Sequence, residues 1–153
     1  MPKVLFLCTA NRCRSPMAAA ILRRILARDN CEGWAVESAG TDVVPGSGAP
    51  EEALTVAEQV GINLSAHRAK PLSEELALWA DLILVMEPRH AEYVRERFPG
   101  HSSKVRLLAS FRPGHEESDS ILDPVGMSAY HYRLFFGELM QAVEGLYRSL
   151  RTV

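Results

Sequence analysis

Cys8 and Arg14 stand at the two ends of one short loop, Cys8-Thr9-Ala10-Asn11-Arg12-Cys13-Arg14, and Ser15-Pro16 follows at once. Five residues between a thiol and a guanidinium let the chain curl. Several backbone N–H groups can then point inward while Arg14 returns to face Cys8. A phosphate dianion in such a cup would accept amide hydrogen bonds and a bidentate guanidinium. The same positive surroundings favour thiolate over thiol. A thiolate beneath a bound phosphoryl group is an in-line nucleophile, and its product is a covalent cysteinyl-phosphate. Charge spreading over the equatorial oxygens would meet donors already in place.

That chemistry also needs an acid for the leaving oxygen. Asp123 in Leu122-Asp123-Pro124 is the strongest candidate, because proline restrains its backbone within a long polar loop. Glu116, Glu117 and Asp119 lie nearby in sequence, so the residue types alone leave that choice open.

The elements that must position these groups read as strands alternating with helices. Residues 3–7 are continuously apolar, as in a central parallel strand. Ser15 is expected to cap the next helix, with Pro16 in its first turn. Its apolar face is Ala18, Ile21, Leu22, Ile25 and Leu26, and Arg23, Arg24 and Arg28 form a solvated face. Further strands are expected at 34–37, 81–86 and 104–108. Helices are expected from 50 to about 60 (stopped by Gly61), from 73 (capped by Ser73) to 79, from 88 to about 98, and beyond 128. This order implies one α/β domain over residues 1–153, a parallel sheet with right-handed crossovers and helices on both faces. Ligands in such folds sit beyond the carboxyl ends of the strands, which is where Cys8 falls.

Composition excludes other classes. A net charge of −2 provides no global basic field for nucleic acid, so attraction for an anion must be local. No apolar run approaches the roughly 20 residues that span a bilayer. The opening apolar run is too short for a signal peptide, so a cytoplasmic location is expected. Cys8, Cys13 and Cys31 are odd in number and lack zinc-like spacing, and His90, His101, His115 and His131 show none either. Cys13 reads as a packing residue or as a partner that captures oxidised Cys8. Cys31 reads as structural, and His67 as a hydrogen-bonded structural histidine rather than a base.

The run from Cys8 to Pro16 resembles the active-site signature C-x-G-N-x-C-R-S-P of low-molecular-weight protein tyrosine phosphatases. Ser38-Ala39-Gly40-Thr41, His67-Arg68-Ala69, residues 81–86 and Asp123-Pro124 follow in the family's order, so the resemblance covers nearly the whole chain. It implies a four-stranded parallel sheet and hydrolysis of phosphotyrosine on proteins or peptides without metal or other cofactor. Inorganic phosphate and related oxyanions are implied as inhibitors. The form implied is a monomer, with a weak dimer as the alternative. Carried over by residue, Cys8 is the nucleophile, Arg14 the phosphate clamp and Asp123 the general acid. Thr9, Ala10, Asn11, Arg12, Cys13 and Arg14 bind phosphate. Ser15 supports the sulfur, Asn11, Ser38 and His67 hold the loop in shape, and Cys13 can form a protective disulfide with Cys8.

The departures concern substrate choice. Ala10 replaces the family's glycine, and a left-handed backbone there would add strain of about 1–2 kcal/mol, whereas Asn11 suits that conformation better. Val44 and Val125 stand where aromatic walls are common, with Tyr130 or Tyr132 as substitutes. A protein arginine phosphatase on the same scaffold is the main alternative. Arg12 weighs against it, because a guanidinium at the mouth repels one on the substrate. An arsenate reductase lacks its later cysteines here, and a phosphoprotein-binding module without turnover is the non-enzyme alternative.

Overall fold

The computed structural model describes residues 2–114 and 120–151. Its centre is strand β1, Lys3–Cys8, whose residues Val4 to Cys8 are all buried. A strand apolar on both faces needs cover on both. Val4, Phe6 and Cys8 belong to one hydrophobic cluster, with helices α1 (Arg14–Arg28), α2 (Glu51–Gln59) and α5 (Ala129–Arg151). Leu5 and Leu7 belong to a second, with α3 (Glu74–Trp79) and α4 (Pro88–Arg97). Burying these faces supplies the main drive for folding.

Strands β2 (Ala35–Gly40), β3 (Leu82–Val85) and β4 (Val105–Leu107) complete a four-stranded sheet, all parallel, in the order β2-β1-β3-β4. The chain lays β2 on one side of β1 and then crosses to lay β3 on the other. The loops after β1 and β3 therefore part at a topological switch point, where such sheets bind ligands.

The expected elements form, with two informative differences. Strand β2 runs on through Ser38, Ala39 and Gly40, beyond the expected 37, pairing with Phe6, Leu7 and Cys8. Small residues allow this close approach, and the Ser38 hydroxyl accepts from Asn11 Nδ2 at 3.0 Å. Ser15 is not the helix cap. Cys13 occupies that position without a side-chain cap bond, and Ser15 lies inside the first turn. Its hydroxyl is turned to the Cys8 sulfur instead of the helix amides. Ser73 does cap α3, accepting from the Leu76 amide.

A single 3-10 turn, Leu108–Phe111, opens the long loop before α5. His115, Glu116, Glu117 and Asp119 lie outside the described residues. Among the described residues no helix is long and apolar enough to cross a membrane.

Candidate active site

Four carbonyls of the loop after β1 are turned outward to partners beyond it. Cys8 O accepts from the Thr41 amide, Thr9 O from Asp42, and Cys13 O from Met17, while the Asn11 carbonyl is 2.6 Å from His67 Nε2. In a trans peptide the N–H points opposite to the C=O of the same unit. Outward carbonyls therefore leave the following amides facing the loop's interior. Among the described residues no acceptor serves the amides of Thr9 to Cys13. A run of unpaired amides beside the start of α1 forms an anion cup.

Asn11 fixes that shape. Its φ of 56° is left-handed, and asparagine tolerates this region far better than most residues. Ala10 is not among the positive-φ residues, so the strain expected there is absent. The buried Asn11 side chain donates to Ser15 Oγ at 2.8 Å and to Ser38 Oγ, and its Oδ1 accepts from the Lys70 amide at 3.0 Å. His67 bonds the Asn11 carbonyl, and burial, opposed by that bond, lowers its pKa below the ordinary histidine value. Its Nε2–H donates to that carbonyl. Gly40 is required by the same packing. A Cβ there would lie 2.5 Å from Thr9 O and 3.0 Å from the Asn11 amide nitrogen.

Cys8 is buried at the floor, with its Sγ 2.9 Å from Ser15 Oγ. Because Asn11 donates to Ser15, the single hydroxyl proton of Ser15 is left to point toward the sulfur, with Ala39 O at 3.3 Å as the poorer alternative. Arg14 is 3% exposed. Its Nη1 donates to Ile121 O at 3.1 Å and to Glu87 Oε2 at 2.8 Å, and its Nη2 lies 3.7 Å from Asp123 Oδ2. Asp123 is half-exposed, and its Oδ1 accepts from the Val125 amide.

Cys8, Arg14 and Asp123 meet in a pocket of about 160 Å3 that Pro50, Arg89 and Val125 also line. Val44 is 75% exposed and does not line it. Neither Tyr130 nor Tyr132 replaces the missing aromatic wall. Tyr130 projects into solvent and Tyr132 is 1% exposed, with its hydroxyl pushed up to about 12 by burial and by Cys13. Cys13 is buried, and burial together with the neighbouring Cys8 pushes its thiol up to about 12, which keeps it protonated.

Glu87, Arg89 and His90, absent from the sequence-based set, enter from the loop after β3. Glu87 Oε2 bridges Arg14 and Arg89. Burial opposes its charge, but hydrogen bonds from Arg89 and Arg14 hold the carboxyl below its ordinary range. The only signal in the sequence was Glu-Pro-Arg-His at a helix start, and its partners are some eighty residues away.

Buried His90 accepts the Glu87 amide at Nδ1 and lies 2.9 Å from Thr9 Oγ1 through Nε2. Burial, and then the charge of Arg14, lower its pKa from 6.5 to about 4. Between those values the unfolded chain binds a proton that the folded chain refuses. Stability is therefore expected to fall by about 3 kcal/mol as pH drops from 6.5 toward 4. Thermal melts across this range should show a shallower decline in His90→Gln than in the parent.

The family model for low molecular weight phosphotyrosine protein phosphatase matches residues 3–153. A protein-arginine-phosphatase of Geobacillus stearothermophilus is 37% identical, over 98% of this chain and 97% of its own length. The low molecular weight protein-tyrosine-phosphatase Ptp of Acinetobacter johnsonii is 36% identical, over 88% and 85%. Among solved structures, the YwlE arginine phosphatase, a cysteine-to-serine mutant with a phosphorylated active-site serine, matches at a TM-score of 0.90 and 32% identity. That match covers 97% of this chain and 95% of the other.

Proposed function

Because the chain belongs to the low-molecular-weight phosphotyrosine protein phosphatase family, we propose that it hydrolyses phosphotyrosine on proteins through a cysteinyl-phosphate. The observation that carries this reading is the juxtaposition of Cys8 Sγ with Ser15 Oγ, beneath a cup of unpaired amides and beside buried Arg14.

In the first step the Cys8 thiolate attacks phosphorus in line. The P–S bond forms as the P–O bond to tyrosine breaks, and Asp123 gives its proton to the departing oxygen. The amides of Thr9 to Cys13 and the Arg14 fork take up the charge on the equatorial oxygens. In the second step Asp123 takes a proton from water as the water attacks phosphorus, the P–S bond breaks, and phosphate leaves. The Ser15 hydroxyl stabilises the sulfur anion at both ends of the cycle. A relative that carries a phosphoryl group on its active-site serine supports a covalent step at this position.

Metal-free hydrolysis of an aryl phosphate in the presence of a chelator tests the reading, and absence of turnover would sink it. Asp123→Asn is expected to lower kcat by about 10^2–10^3 for a poor leaving group, with a smaller loss for an activated one. Equal losses for both would remove Asp123 from the acid's role.

The similarity to arginine phosphatases favours phosphoarginine as a second substrate. Arg12 and Arg89 at the pocket oppose it, since two guanidiniums there repel a third. Phosphotyrosine peptides are therefore expected to turn over faster than phosphoarginine peptides, and the reverse order would transfer the assignment.

A further inference from the structure

Thr9 and Arg89 line the pocket beside the loop after β3, and Arg12 lines it beside the loop after β2; all three offer hydrogen-bond donors. The Nδ1 atom of His90 accepts the Glu87 amide, so its Nε2 carries the hydrogen and donates to Thr9 Oγ1. Arg89 Nη2 donates to the same oxygen at 3.0 Å. A hydroxyl oxygen has two lone pairs, and both are now filled. Thr9 is left with its O–H alone, as a donor.

Arg89 Nη2 also donates to Glu87 Oε2 at 3.0 Å, which occupies both of its hydrogens and anchors the guanidinium. Its Nε and Nη1 groups have no acceptor among the described residues. Arg12 is anchored through Nε to Gly48 O at 2.7 Å, and its two amino groups likewise have none. Glu87, the carboxylate bonded to Arg89, is already shared between Arg14 and Arg89. Two restrained guanidiniums and a hydroxyl donor thus place positive charge on the lining of the pocket, in a chain whose net charge is −2.

We propose that these two flanks are subsites for carboxylate side chains next to the phosphorylated residue, so that the substrate is an acidic phosphoprotein segment. The proposal rests on the phosphatase reading above and adds the flanking chemistry to it. An aspartate or glutamate can accept from Arg89 and Thr9 on one flank, or from Arg12 on the other, without displacing an existing bond. A flanking lysine or arginine meets like charge at either flank.

Phosphotyrosine peptides flanked by glutamate, alanine or lysine test this, with para-nitrophenyl phosphate as the small control substrate. At low salt kcat/KM is expected to run glutamate over alanine over lysine, with about tenfold between the extremes, and to converge at high salt. In the double variant Arg12→Gln, Arg89→Gln the three peptides are expected to fall within about twofold of one another. A ratio across peptides is not mimicked by a uniform loss of activity. Equal rates on the three peptides in the parent would overturn the subsites alone, as would an undiminished order in the double variant. No hydrolysis of para-nitrophenyl phosphate by the parent would overturn the phosphatase reading, and the subsites with it.

Discussion

Replacing Cys8 with serine is expected to lower kcat/KM on an aryl phosphate by at least about 10^4-fold. The side chain is 3% exposed and packed among apolar residues, so an oxygen in place of sulfur changes the volume little and the fold should persist. The nucleophile changes much more. A serine hydroxyl in the same cup holds its proton far more tightly than a thiol does, and the side chains bonded around it offer no base. Ser15 already directs its hydrogen toward that position, and His67 is committed to the Asn11 carbonyl. Neither can take a proton from serine. The amide cup and Arg14 remain, so inorganic phosphate should bind Cys8→Ser within about tenfold of its affinity for the parent. The pair of measurements separates an enzyme from a binding module. Loss of turnover with retained binding makes Cys8 the nucleophile. Unchanged turnover would remove it from the chemistry.

Local features carried much of the fold and the loop into view. A short continuously apolar run that leads into a polar loop reads as a buried strand, and β1 is that strand, with the thiol at its end. Cys8, Arg14 and Asn11 lie within seven residues, so short-range spacing was enough to propose the cup. Asp123 was a candidate among neighbouring carboxylates, favoured by the proline after it, and it lines the pocket with Cys8 and Arg14. The misreadings came where tertiary contacts overrode a local preference. Ser15 has the chemistry of a helix cap, but the buried sulfur beside it claims its hydroxyl. Glu87, Arg89 and His90 follow an ordinary strand and open an ordinary helix. Only the β2-β1-β3-β4 order sets the loop after β3 against the loop after β1. Pro50 lines the pocket where Val44 was expected, because the chain between them turns Val44 out to solvent.

Arg14→Lys is expected to lower kcat/KM by about 10^3-fold, although it retains the positive charge. The guanidinium is a planar fork held in register by Glu87 Oε2 at 2.8 Å and Ile121 O at 3.1 Å. An ammonium group donates from one point, so it cannot hold those two anchors and also present two parallel N–H groups to the equatorial oxygens. Most of the loss should fall on kcat, because the fork matches the planar transition state better than the tetrahedral ground state. Glu87→Gln provides the comparison. It keeps the fork and the Ile121 bond, and it removes the charge that fixes the guanidinium's angle. A smaller loss of about tenfold is expected there, and it should extend to KM because an untethered fork binds phosphate less selectively. The two variants also differ in stability. Arg14→Lys leaves Glu87 paired with Arg89 through the same oxygen, so urea unfolding should shift by no more than about 1–3 kcal/mol. If Arg14→Lys lost activity only in proportion to its lost stability, the fork would be a packing element. A large kcat deficit in a folded variant makes it the clamp of the transferred phosphoryl group.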